Sequence, residues 1–155
     1  MCPNIQFLGK PLKNSVAASE QAILGCQDFT CVVKYLRIKI HAIHFYSYDW
    51  NKSNSQRNNS ALAYIENNQI QYGIARGFYH DTLCSSVFCV LTKLILCDGP
   101  CDKIPHVSTC MPYNQASGMI AIPVEHIISP CICISFTSVK DCVYVVMLVN
   151  MLEKD

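Results

Sequence analysis

Apolar and polar residues alternate along much of this chain. In CVVKYLRIKI, residues 31–40, Val32, Leu36, Ile38 and Ile40 fall on one face. Val33, Tyr35, Arg37, Lys39 and His41 fall on the other. A period of two marks a half-buried strand. HAIHFYSY continues that strand past a bend. ALAYIE and IQYGIARGFYH predict a hairpin around Asn67-Asn68, because asparagine tolerates the positive φ of a tight turn. Gly73 and Gly77 inside the second arm predict a bulge or sharp bend. SSVFCVLTKLIL reads as a long strand, apolar on both faces apart from Thr92 and Lys93. MIAIPVEHIIS is a short strand interrupted by Pro123. CICISF alternates, with Ile132, Ile134 and Phe136 predicted inward, and DCVYVVMLVN is a last strand buried on both faces.

Helical signals are few. NSVAASEQAILG is the one good candidate, with Asn14 or Ser15 to cap it and Gly25 to end it. Residues 1–13 read as irregular, and residues 49–60 and 97–118 as loops. Strands that follow one another without intervening helices form mainly antiparallel sheets. The expected fold is therefore mainly β: a small bent antiparallel sheet or barrel of about seven strands with one short N-terminal helix. The chain reads as a single domain, in which residues 1–30 pack as an irregular segment plus helix on a β-rich body, residues 31–155.

Composition agrees with a packed domain: 51% of the residues are hydrophobic and 15% charged. The net charge of +1 supplies no global field toward nucleic acid or membrane. It is unevenly spread, with 8 Lys and Arg against 4 Asp and Glu up to residue 80, and 4 against 7 beyond it. The start, MCPNIQFLGKPLKN, has none of the features of a secretory signal, so an intracellular location, nucleus or cytoplasm, is expected. There the eleven cysteines stay reduced and act as small apolar residues. The Asn-x-Ser patterns at Asn51 and Asn58 then carry no meaning. The longest apolar run, residues 142–149, is far short of the roughly 20 residues a membrane helix needs, so no membrane partner is expected.

Residues 46–78, YSYDWNKSNSQRNNSALAYIENNQIQYGIARGF, carry an ordered set of motifs. An aromatic-Ser-aromatic leads to Arg57-Asn58-Asn59-Ser60, then Tyr64, Tyr72-Gly73-Ile74 and Phe78, with YVVMLVNMLEKD near the end. In this order they resemble a β-rich C-terminal module of large, uncharacterised animal proteins associated with transposable elements. The resemblance covers the chain from about residue 30 onward. It implies the tail of a longer ancestral protein and carries no activity with it. Such tails are similar in build to small barrels that read chromatin, a likeness of fold alone.

Two constellations bear on function. Cys97, Cys101, His106 and Cys110 have the chemistry of a zinc knuckle but not its spacing, and Pro100 and Pro105 stiffen the turns. Cys131 and Cys133 would sit about 7 Å apart on one strand face, which suits core packing. The second constellation is basic and aromatic. Tyr35, Arg37 and Lys39 stand on one strand, and Tyr46, Tyr48, Trp50 and Arg57 accompany them in the following segment. Cations among aromatics suit single-stranded nucleic acid or a methylated ammonium, and equally a solvated edge strand. No hydrolase signature or phosphate-binding glycine loop appears. The expectation is a non-catalytic interaction module, not an enzyme, with nucleic acid or a chromatin protein as partner and no cofactor. Its alternatives are a zinc-binding element at 97–110, a cysteine-dependent enzyme, and a product without selected function.

Overall fold

The computed structural model describes residues 4–13, 16–26, 28–54, 60–99, 103–112, 118–135 and 142–147. Its strands are β1 (Ile5–Phe7), β2 (Val32–Tyr35), β3 (Arg37–Ile40), β4 (Ile43–Tyr46), β5 (Ala61–Glu66), β6 (Gln69–Asp81), β7 (Ser86–Leu96), β8 (Val107–Pro112), β9 (Met119–Pro123), β10 (Ile127–Ser135) and β11 (Val143–Met147). Two helices accompany them, α1 (Ala18–Leu24) and α2 (Tyr48–Asn54). Every strand pair is antiparallel. The mainly-β reading holds, and the sheet closes. Strands β6-β5-β10-β11-β8-β7 form a ring, sealed by the pairing of β6 with β7.

The β6–β7 hairpin is longer than the barrel needs. Its barrel half pairs with β5 and β8, while its far half is flanked by β2 and β9. The register shifts between Ala75 and Gly77, so Arg76 is the extra residue of a bulge. That bulge resets the alternation. Ala75 and Phe78, three positions apart, both join one buried cluster. Gly73 is required nearby, since a Cβ there would stand 2.6 Å from Leu91 Cδ1.

Three apolar clusters result. The barrel interior holds Ala61, Ala63, Tyr72, Leu94, Cys110, Cys131 and Val145, drawn from all six strands. Six strands enclose a narrow lumen, filled by one tyrosine, one leucine and five smaller side chains. This overturns one expectation for β10. Cys131 is 2% exposed and joins that cluster with Cys133, whereas Ile132 and Ile134 point outward at 40% and 39%. Phe136 lies outside the described residues. The second cluster lies between the β6–β7 hairpin and a small sheet ordered β1-β3-β4, and includes Ile38, Ile40, Phe45, Leu62, Tyr64 and Phe78. In the third, α1 and its flanks cover the opposite hairpin face through Val16, Leu24 and Cys26 against Val32, Tyr79 and Val90.

Other differences follow from local chemistry. His41 and Ala42 both have positive φ (46° and 71°), so the expected continuation of β3 is a tight hairpin into β4. β1 forms in the segment read as irregular because Ile5 and Phe7 pair with Ile40 and Ile38 over the core. Residues 107–112, read as loop, form β8 and close the barrel. Asn67-Asn68 turns as expected (φ 52° and 61°). α1 ends at Gly25 in the left-handed region, also as expected. Its first turn is closed by Glu20, which accepts from the Ala17 N–H at 3.1 Å; Asn14 and Ser15 lie outside the described residues. Among the described residues no helix is long and apolar enough to cross a membrane.

A candidate basic and aromatic surface

The β3–β4 hairpin sorts its side chains by alternation. Ile38, Ile40, Ile43 and Phe45 face the core. Arg37 stands opposite Tyr46 and Lys39 opposite His44 on the outward face. Just beyond β4, Ser47 starts α2: its backbone N–H donates to Leu36 O at 2.8 Å, and its hydroxyl accepts from the Trp50 N–H at 3.3 Å. Serine at the cap and Asp49 in the first turn favour helix there. α2 was not expected, because YDWNKSN has no apolar period. The cap was its only signal in the sequence.

α2 sits along β6 at the bulge, between the stretch of β6 paired with β5 and the stretch paired with β2. Its two aromatics each receive a guanidinium. Arg37 lies 3.9 Å from the centre of the Trp50 ring, and Arg76 lies 4.9 Å from that of Tyr48. Gly9 (φ 86°) packs against Arg37, since a Cβ there would stand 3.1 Å from Nη2. Arg76 is also held by Thr92, whose Oγ1 accepts from Nε at 2.8 Å. Each guanidinium is thus fixed over a ring, which limits how far either can move.

The expected constellation is therefore only partly assembled. Arg37, Lys39 and Tyr46 share one face, and Trp50 joins them through Arg37. Tyr48 pairs instead with Arg76, and is 38% exposed. Tyr35 does not share the face of Arg37 and Lys39: β2 ends there, and its ring stacks on Phe7 at 4.4 Å. Phe7 in turn stacks on His80 at 4.8 Å. Arg57 lies outside the described residues. Two residues were missed, His44 and Arg76. The glycine-flanked bulge was the clue to Arg76, since bulges re-aim side chains.

The 97–110 segment takes a different course. Cys110 is fully buried inside the barrel. His106 is exposed in a turn with φ 65°. Cys97 is half-buried beside a shallow cleft of about 320 Å3, lined by Leu96, Cys97, Asp98, Val107, Ser108 and Thr109. Cys101 lies outside the described residues. Among the described residues, no three Cys, His, Asp or Glu side chains converge as metal ligands. No family model matches the chain, and no curated protein matches it.

Buried thiols in the core are held protonated. Burial, with neighbouring thiols as lesser contributors, pushes Cys110 and Cys131 up to about 12. Burial alone pushes Cys89 up further. These three are expected to resist a thiol reagent at pH 8 until the chain unfolds, as timed labelling with and without urea would show. Rapid labelling of Cys110 in the folded protein would refute this placement. Because the folded values lie above the unfolded one, their contribution to stability is complete below roughly pH 8.5 and is lost as pH rises toward 12.

Proposed function

We propose that the chain is a non-catalytic module that binds single-stranded nucleic acid across the outward face of β3 and β4. The observation that carries the reading is the Arg37–Trp50 pair at 3.9 Å, with Lys39, His44 and Tyr46 on the same face. Lys39 and Arg37 supply charge for phosphates, and Tyr46 supplies a ring face on which a base can stack. The guanidinium plane of Arg37, steadied by Trp50, offers a second stacking surface. The methylated-ammonium reading is less favoured, because Arg37 already lies over Trp50 where such a ligand would sit. Origin as the tail of a larger transposable-element-associated protein fits this reading and is proposed with it. So does an address in the nucleus or cytoplasm, where nucleic acid is available.

The test is fluorescence anisotropy of a labelled oligothymidine of about 12 nucleotides, a length typical of one small barrel's site. Affinity is expected to fall steeply between 50 and 200 mM salt, as counterion release requires. Lys39→Ala should weaken binding by about 3-fold and Tyr46→Ala by about 5- to 10-fold. Binding that ignores salt, or that both variants leave intact, would remove the proposal.

A further inference from the structure

The strands of the β1-β3-β4 sheet read IQF, RIKI and IHFY, with no acidic residue among them. Their outward side chains form rungs. Gln6, Lys39 and His44 make one rung across all three strands, and Arg37 with Tyr46 makes the next. Gln6 and His44 are exposed, and Lys39 is half-buried.

Backbone pairing fixes how close the members of a rung stand. Only His41 and Ala42 separate Ile40 from its partner Ile43, so those two form a hydrogen-bonded pair. The same alternation reaches Leu36, whose carbonyl accepts from the Ser47 N–H at 2.8 Å. Lys39 and His44 are therefore a pair of the other, closer kind, with Cβ atoms about 4.5–5.5 Å apart. An ammonium and an imidazole so placed can both reach one phosphate set between them.

The groups around His44 are few. Lys39 stands opposite, and Arg37 lies diagonally across on the same strand as Lys39. The Tyr46 ring lies edge-on with its centre 6.3 Å away, and His41 occupies the turn. β10 also packs near β4, but Ile127–Ser135 holds no charged residue, and its thiols, Cys131 and Cys133, belong to the barrel cluster. The nearest acid in sequence is Asp49, in α2. Among the described residues no carboxylate pairs with Lys39 or His44.

We propose that His44 is a second phosphate ligand of this face, protonated when a single strand binds, so that nucleic-acid binding takes up a proton and tightens as pH falls. This role rests on the nucleic-acid reading and adds to it a residue and a pH dependence. Histidine is the side chain that ordinarily changes charge between pH 5 and 8. A phosphate seated on Lys39 favours the cationic ring across the rung, as an opposite charge within about 4–6 Å does. The proton comes from solvent, and protonation and binding strengthen each other by equal factors, as linkage requires. A neutral ring leaves the phosphate to Lys39, whereas an imidazolium adds a charge-assisted hydrogen bond to it.

The test repeats the anisotropy measurement at pH 5.5 and pH 8 with the same oligothymidine, since neither thymine nor a phosphodiester changes charge between them. The wild type is expected to bind about 5-fold tighter at pH 5.5. Its salt dependence, as log Kd against log salt, should steepen there by about 0.7, the mark of one more phosphate contact on a single strand. His44→Gln should lose both differences. His44→Lys should bind at pH 8 about as tightly as the wild type does at pH 5.5, and His41→Gln should keep the wild-type response. Salt-dependent wild-type binding that ignores pH would overturn the role of His44 and leave the nucleic-acid reading standing. So would a pH response that survives in His44→Gln. Absence of binding at both pH values would remove that reading and this role together.

Discussion

Glu20→Gln is expected to destabilise the fold by about 3–5 kcal/mol, the usual result of leaving one partner of a buried ion pair uncompensated. Glu20 and Lys34 are each 7% exposed, and Lys34 Nζ lies 2.9 Å from Glu20 Oε1. Lys34 also lies over the Tyr79 ring, 5.5 Å from its centre. Gly77 makes room for this arrangement, since a Cβ there would stand 2.8 Å from Lys34 Cε. An amide at position 20 keeps the shape and can still accept from Ala17 N–H. What it removes is the charge that balances a buried ammonium. The double change Glu20→Gln with Lys34→Met should therefore recover most of the loss, because no bare charge remains. Urea unfolding of the wild type, both single variants and the double variant gives the coupling directly. Additive losses would show that the pair acts as two independent surface groups, contrary to its burial.

That pair also shows where sequence reading stops. Lys34 stands in VVKY two residues from Val32, which is buried on the hairpin face that α1 covers. Period two therefore marks it as an inward lysine. Nothing in the sequence identifies Glu20 as its partner, because the two meet only once α1 docks on the hairpin. Long-range placement is the general difficulty. The Asn67-Asn68 turn and the bulge beside Gly77 were legible, since each is decided by backbone chemistry within a few residues. The His41-Ala42 turn was not, because alanine rarely adopts positive φ and no Gly, Asn or Asp stands there to mark a turn. The inward side of β10 was misjudged for a different reason. Alternation alone gives two equal choices, since both the isoleucines and the thiols suit a core, and side-chain bulk prefers the isoleucines. A closed ring of six strands reverses that preference, since its lumen takes Cys131 and leaves Ile132 outside.

The same limits apply to the candidate surface. Arg37, Lys39 and Tyr46 could be placed together because one hairpin carries them all. The pairing of Tyr48 with Arg76 could not, since it depends on where α2 meets a bulge in a strand that begins fifteen residues after that helix ends. Tyr35 was misplaced because the chain breaks at Leu36, between strands belonging to different sheets. A single unbroken alternation across that break had put Tyr35 beside Arg37. In the fold its ring is spent on packing with Phe7, and its loss should affect stability more than ligand binding.

Phe78→Ala is expected to cost about 3–5 kcal/mol, against about 1 kcal/mol for Phe78→Leu. Phe78 is fully buried and stands where three strands meet, opposite Tyr35 on β2 and Cys89 on β7. It is placed there by the bulge, which returns it to the face of Ala75 and so under the β1-β3-β4 sheet. Truncation would leave a void beneath the sheet that carries Arg37 and Lys39. The surrounding strands are tied on both sides and cannot collapse far into it, so the cavity cost adds to the lost burial. For a chain of this size the alanine variant should melt roughly 6–20 °C lower. If instead its urea midpoint matches the wild type, Phe78 does not lie in the core and the two halves of the β6–β7 hairpin are not joined by the bulge described above. The leucine variant is the control for the cavity: it keeps most of the volume and should lose little, and a large loss there would point to an aromatic contact and not to a filled cavity.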